Sequence, residues 1–271
     1  MRLNIGGPAR NARVRRAQRF SGDVMKRMLP LAVAGALFAP SGAYAAHPLV
    51  SDDTGTQGDA NWQLELNAEE TSKQAETGRH GLWNATLTRG FGDRVDLYVN
   101  APYTHVQTRS DENGAGFGDV EVGMKWRLVE HGPFSVALKP RVTMPTGNDR
   151  RGLGTGRVGA GATLLAQADV AKVSFLANAG IAYQPNRQDE LTSIWQVSGA
   201  AIYRATDKLQ LVVDVGMSRN AEPGAGANPA FVIAGAIYSP KRWLDLDVGY
   251  RRGLNDQTYD HSVMGGITAR W

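Results

Sequence analysis

The chain has no cysteine in 271 residues, which removes disulfide scaffolds, cysteine-ligated zinc and thiol catalysis together. It has no run of eighteen apolar residues, and its mean hydropathy is −0.32. A helical membrane protein is therefore excluded. Acidic residues are nearly missing from positions 1–45, which hold eight Lys/Arg and only Asp23. The net charge of +4 belongs to that leader, since the remainder carries 22 bases against 25 acids. A nucleic-acid partner loses its main support. The five histidines (47, 80, 105, 131 and 261) are scattered without metal-ligand spacing, so no metal and no cofactor is expected.

The leader reads as a secretion signal. Lys26-Arg27 form a positive start, residues 29–38 a short apolar core, and Ala43-Tyr44-Ala45 a small-x-small cleavage site. The apolar run is far below the ~20 residues of a membrane helix. Residues 1–24 fit no part of such a signal, which points to Met25 as the true start. The mature chain then begins near Ala46. Residues 46–60 form a tail without alternation, either periplasmic or folded into the barrel as a plug.

From Trp62 onward the dominant pattern is period-two alternation, the mark of strands with one apolar face. Val120, Val122, Met124, Trp126 and Leu128 alternate with Asp119, Glu121, Lys125 and Arg127. Leu244, Leu246, Val248 and Tyr250 alternate with Asp245, Asp247 and Arg251. About twelve such segments occupy 61–271, each near the ~9–11 residues that cross a bilayer at a tilt. Tight turns at 92–93, 131–133, 168–170, 206–208 and 240–242 interleave with long polar loops at 71–80, 106–117, 147–156, 185–192, 220–228 and 252–260. That alternation predicts an antiparallel up-and-down transmembrane β-barrel of the Gram-negative outer membrane, with short periplasmic turns and longer outside loops. A soluble sandwich gives no reason for it.

The aromatics fit two interfacial girdles. Trp62, Trp126, Tyr203 and Trp271, with Phe91 and Phe134, fall toward the periplasmic rim. Trp83, Tyr103, Tyr183, Trp195 and Tyr250, with Phe231, fall toward the outer one. Phe231 and Tyr238 conflict in parity, so one of them faces inward or a bulge intervenes. Trp271, closing an alternating strand, resembles the terminal aromatic of outer-membrane barrels, which implies outer-membrane lipids and the barrel-assembly machinery as partners.

Three blocks carry a family resemblance. They are residues 47–58 leading into Asn61-Trp62-Gln63-Leu64-Glu65-Leu66-Asn67, the run Gly116-Phe117-Gly118-Asp119 with Lys125-Trp126-Arg127-Leu128, and Lys139-Pro140-Arg141-Val142-Thr143-Met144-Pro145-Thr146-Gly147. Together they resemble the family named for the MetA pathway of phenol degradation, across essentially the whole mature chain. The resemblance implies an outer-membrane β-barrel transporter, without catalytic residues and without an identified substrate.

Twelve strands about 4.8 Å apart and tilted about 40° close at roughly 24 Å across the backbone, leaving a bore of roughly 10 Å. Such a bore suits small solutes. Inward parity puts Lys125, Arg127, Lys139, Arg141 and Arg157 on one basic wall, and Glu65, Glu69, Asp96, Asp214, Asp245 and Asp247 on acidic walls. Opposed walls orient dipolar or anionic solutes; equally, the charges pair to fill the interior. Lys125 and Lys139 have no acidic strand-mate at their height, which favours anions in the bore. Inward Leu165, Leu176 and Ile202 suggest an apolar patch, and inward Gly123, Gly159, Gly161, Gly180 and Gly216 argue against an occluded bore. The expected function is an uptake channel for small compounds, aromatic or otherwise hydrophobic ones among them. The alternative is an occluded structural or adhesive barrel. An enzyme is not expected: Asp260-His261-Ser262 places His and Ser on opposite strand faces, and Gly152-Leu153-Gly154-Thr155-Gly156 lacks the Lys-Ser/Thr of a phosphate loop.

Overall fold

The computed structural model describes residues 47–73, 76–107 and 114–271. The leader read above as a secretion signal, and the centre of the expected 106–117 loop, lie outside the described residues. Beyond the tail the chain is almost entirely strand: β1 (Trp62–Lys73), β2 (Glu76–Phe91), β3 (Val95–Gln107), β4 (Gly114–Phe117), β5 (Val120–His131), β6 (Phe134–Met144), β7 (Gly159–Val170), β8 (Val173–Tyr183), β9 (Ser193–Arg204), β10 (Leu209–Ser218), β11 (Ala230–Lys241), β12 (Leu244–Gly253) and β13 (His261–Arg270). One 3-10 turn, Asp149–Arg151, sits between β6 and β7.

Every neighbouring pair is antiparallel, and β1 closes on β13 with Gln63 opposite Arg270. β4 and β5 both pair with β3, Phe117 opposite Tyr103 and Trp126 opposite Val95. They are one stave broken at Gly118-Asp119. The break has a local cause: Asp119 turns out of the ladder to accept from the N–H groups of Gly147 (2.9 Å) and Thr155 (2.7 Å). Counting that stave once, the fold is a closed antiparallel barrel of twelve staves, as the alternation predicts.

The two faces follow the period of two. Leu66 is 45% exposed toward lipid while Glu65 beside it is buried in the lumen. Val122 and Trp126 point outward, and Glu121 and Lys125 inward. Among the girdle residues, Trp83, Trp126, Tyr183, Tyr203, Tyr250 and Trp271 are exposed, and Trp62, Tyr103 and Trp195 partly so. Arg89 lies over both the Trp62 ring (4.9 Å) and the Phe91 ring (5.3 Å), a stack suited to a headgroup boundary.

Besides β4, which pairs within the expected 106–117 loop, the ladder departs from the expected pattern in three places. Residues 71–80 have the polarity of a loop, yet Thr71 pairs with His80 and Ser72 with Arg79. Polar side chains there mark the end of lipid contact, not of backbone pairing, because a ladder continues in water as well as in hydrocarbon. The turn expected at 168–170 falls at 171–172, with Ala171 at φ 53°. Asp169 stays paired to Ser174 and accepts from its hydroxyl (2.5 Å), so an acid near a turn does not end this strand. Phe231 faces inward, against the buried Val50, Ile233 and Met264, while Tyr238 faces out.

The short turns and Trp271 share one end of the barrel, where Trp62 N–H donates to the Trp271 carbonyl (2.8 Å). With that end periplasmic, an epitope inserted at Asn148 or Asn255 should be cut by protease added to intact cells, and one at Lys208 should not. Equal cleavage at all three sites would contradict a spanning barrel.

Candidate functional site

The lumen is the candidate site, and the segment 47–60 lies inside it. The segment forms no strand; it runs through the interior as irregular chain with turns and bends, many of its polar groups bonded to inward side chains. At its root, Ala60 N–H donates to Gly90 O (3.2 Å) and Asp59 accepts from Gly92 N–H (2.9 Å). Gly90 must be glycine here, since a Cβ would lie 1.8 Å from the Gly58 carbonyl oxygen. Gln57 N–H donates to both Asp96 oxygens (3.0 and 3.1 Å), and Thr54 meets Ser135 (2.5 Å) and Gln167 (3.1 Å from its N–H).

Deeper in, Asp52 is 1% exposed and bridges two lysines. Its Oδ1 accepts from Lys125 (2.8 Å) and its Oδ2 from Lys139 (2.6 Å). Asn178, with its oxygen toward the Asp52 N–H and its nitrogen toward the Asp52 carbonyl, brackets the main chain. Asp214, fully buried, accepts from Val50 N–H, Ser51 N–H (both 2.7 Å) and the Ser51 hydroxyl (2.8 Å). Leu49 fills an apolar pocket of Leu176, Ala200, Val212 and Ile237, edged by Ile202. Pro48 rests on Gly235 and Gly249, and His47 pairs with Asp247.

These contacts correct the expectation for the lysines. Lys125 stands directly opposite the buried Asp96 in the β3–β5 ladder, and the tail places Asp52 between the two lysines, so the pair gives no reason to infer a permeating anion in this form. Arg127 donates to the tail's Thr56 (2.6 Å) and to Glu130 (2.9 Å). Arg141 pairs with Glu121 (3.3 Å), which also accepts from the Tyr98 hydroxyl (2.9 Å). Arg157 is not on this wall: it precedes β7, exposed, because Thr155 and Gly156 still turn the chain there. On the acidic side, Glu69 pairs with Arg251 (2.9 Å) and Asp245 with Arg270 (2.6 Å), while Glu65 accepts from Gln63. The inward glycines do not mark open space either. Gly123 makes room for the Tyr98 ring and Gly216 for the Phe231 ring.

Several contributors do not stand out in the sequence: Asn178, Ser198, Gln167, Ser135 and Tyr98. Their inward parity is legible, but nothing local distinguishes a side chain that grips the tail from one that merely lines water. Beside the tail a cavity of ≈ 20 Å³ remains, bounded by Glu65, Asp96, Tyr98, Lys125 and Lys139 among others. That is room for about one water molecule and for no solute. At this point beside the tail the lumen leaves no room for a solute.

Asp53 adds a charge at the edge of this cluster, with Gly55 N–H at 2.6 Å and Lys125 at 3.3 Å. Burial pushes its carboxyl up, but the Lys125 ammonium and the Gly55 N–H together outweigh burial and hold it below the ordinary carboxylate value. A depressed carboxyl contributes to docking above its ordinary pKa of 3.8, and the contribution is lost as pH falls through the lower value. Acid below about pH 4 should therefore loosen the tail. Limited proteolysis of residues 47–60 should speed up there, and Asp53→Asn should flatten that dependence. A rate that does not change with pH would remove Asp53 from the docking contacts.

A family model described as "Putative MetA-pathway of phenol degradation" matches residues 51–271, from within the N-terminal tail to the last residue. The chain belongs to this family. No curated protein sequence matches it. Among solved structures, the COG4313 outer membrane channel from Pseudomonas putida F1 superposes at a TM-score of 0.66 with 13% identity, covering 81% of this chain and 98% of that one. NanC porin superposes at 0.56 with 10% identity and KdgM porin at 0.54 with 8%, each over 76% of this chain and 98% of the other. At such identities the likeness is one of fold: this member of the phenol-degradation family has the barrel of outer-membrane channels and porins. The hydrolase-like triplet is split by that barrel. Ser262 is buried in the lumen against Thr71 (3.1 Å), and His261 stacks on the outward Tyr250 at 6.0 Å.

Proposed function

We propose that the protein is an outer-membrane channel for uptake of small solutes, exported by its N-terminal leader, folded by the barrel-assembly machinery, and held closed by its own tail. The observation that carries this reading is that the tail takes no part in closing the barrel. The β1–β13 ladder closes the barrel without it, and residues 47–60 add no strand, so they can leave the bore while every ladder hydrogen bond stays in place. The structural relatives are channels and porins, which supports the same reading. The wall behind Leu49, made by Leu176, Ala200, Val212 and Ile202, would be bared on opening. It supports solutes with an apolar part, aromatic compounds among them.

Planar-bilayer recording of refolded residues 46–271 tests this. Discrete openings from a closed baseline are expected, with lysine-dependent ion selectivity while open. A well-folded, heat-modifiable barrel that never conducts, with or without its tail, would instead fit an occluded structural barrel.

A further inference from the structure

Residues 49–52 of the tail are a peptide that the lumen binds at three chemically different points. We propose that these three points are the solute-binding site of the open channel, and that its ligand is a small amphiphilic carboxylate with a hydrogen-bond donor between its apolar body and its carboxylate. The proposal rests on the reading that the tail leaves the bore.

The first point is the lysine pair. Two ammonium groups from β5 and β6 approach the two oxygens of one carboxylate, at 2.8 and 2.6 Å, so the wall is shaped to a single carboxylate held from both sides. The second is Asp214 on β10. Its carboxylate receives three donors from Val50 and Ser51 and is fully buried. Once the tail is gone, that acid repels a bare anion and welcomes an N–H or O–H. The third is the pocket that holds Leu49.

The spacing ties the three together. On β8, Asn178 brackets Asp52 and Leu176 touches Leu49; on β10, Asp214 takes the amides and Val212 touches Leu49. In each pair the polar and apolar residues are two apart, adjacent on one strand face and separated by roughly 7 Å. A ligand that satisfies all three points needs an apolar group, a donor and a carboxylate in that order, with the apolar group and the donor about that far apart. Chloride meets only the first point, and a neutral phenol meets at most the other two. The tail is then an internal competitor whose high effective concentration keeps the site filled until it is displaced.

N-benzoylglycine has this order of groups, and its neutral amide differs only in the charge. Both should be titrated calorimetrically into the refolded mature protein and into its Leu49→Ser/Asp52→Asn variant, in the same detergent. N-benzoylglycine should bind the variant at least about tenfold more tightly than the wild type, and the amide at least about tenfold more weakly than the acid. Adding Lys125→Gln and Lys139→Gln should erase the preference for the acid. The proposal is overturned if the variant binds no better than wild type, if acid and amide bind alike, or if equimolar chloride displaces the acid. Should the double variant fail to show heat-modifiable folding, Asp52→Asn alone carries the same comparison with a smaller gain. Binding without conductance would sink the channel reading and leave the site. Conductance without binding would do the reverse.

Discussion

Deleting residues 46–58 should turn a mostly closed barrel into a steadily conducting one. The deletion removes the Asp52 bridge, the Asp214 cap and the Leu49 plug together, and leaves β1 to β13 untouched. Burying Leu49 and Val50 alone contributes about 1.5–3 kcal/mol each before ordering costs. A net docking free energy of roughly 3 kcal/mol already keeps the open fraction near 1%, so its removal raises open time on the order of a hundredfold. A deletion also discards charges, and a gentler variant separates the causes. A Cβ on Gly249 would sit 2.5 Å from the Pro48 Cβ, and the next residue it meets is the flexible end of Met264 at 3.1 Å. Gly249→Ala therefore pushes on the plug while keeping every charge of the lumen. It should raise the open fraction in the same direction as the deletion, by less. If both variants fold and neither changes the current, something other than the tail closes the bore.

How far the sequence reveals this arrangement depends on the range of the physics involved. The faces of the barrel follow from local alternation, so Glu65, Lys125 and Asp247 can be assigned inward from their neighbours alone. The tail obeys no period. Asp52 meets Lys125 73 positions away, and His47 meets Asp247 200 positions away. Short stretches carry no signal for such pairs. Complementary charge in the tail is visible, since Asp52 and Asp53 are the tail's most concentrated acids. What the sequence lacks is depth: whether two aspartates reach two lysines depends on the path of the chain past Gly90 and over Gly235 and Gly249. The glycines mislead for a related reason. An inward glycine leaves space, but at Gly123 and Gly216 that space is taken by an aromatic ring from the adjacent strand. Counting missing side chains on one strand overlooks large ones on the next.

The charge cluster itself makes the sharpest expectation, because removing one member and removing all three should have opposite consequences. Asp52→Ala leaves Lys139, 5% exposed at its side chain, facing Lys125 across the gap that the carboxylate filled. Leaving a buried charge uncompensated costs about 3–5 kcal/mol. Much of that is recovered, because Asp53 stays 3.3 Å from Lys125, Asp96 faces Lys125 across the ladder, and the Tyr98 ring lies 4.9 Å from the Lys139 ammonium. The plug is the part free to move, so the protein should relieve the strain by releasing it and letting water and anions reach the lysines. Asp52→Ala should then approach the deletion variant in open time and show a marked anion preference while open. Replacing the trio together, as Asp52→Asn, Lys125→Met and Lys139→Met, exchanges paired charges for groups of similar volume, and such exchanges are often neutral or stabilising. That triple variant should keep the tail docked and the current low, and whatever current passes should lose its preference for anions. A triple variant as open as Asp52→Ala would mean that the bridge itself, rather than the cost of orphaning the lysines, holds the channel shut.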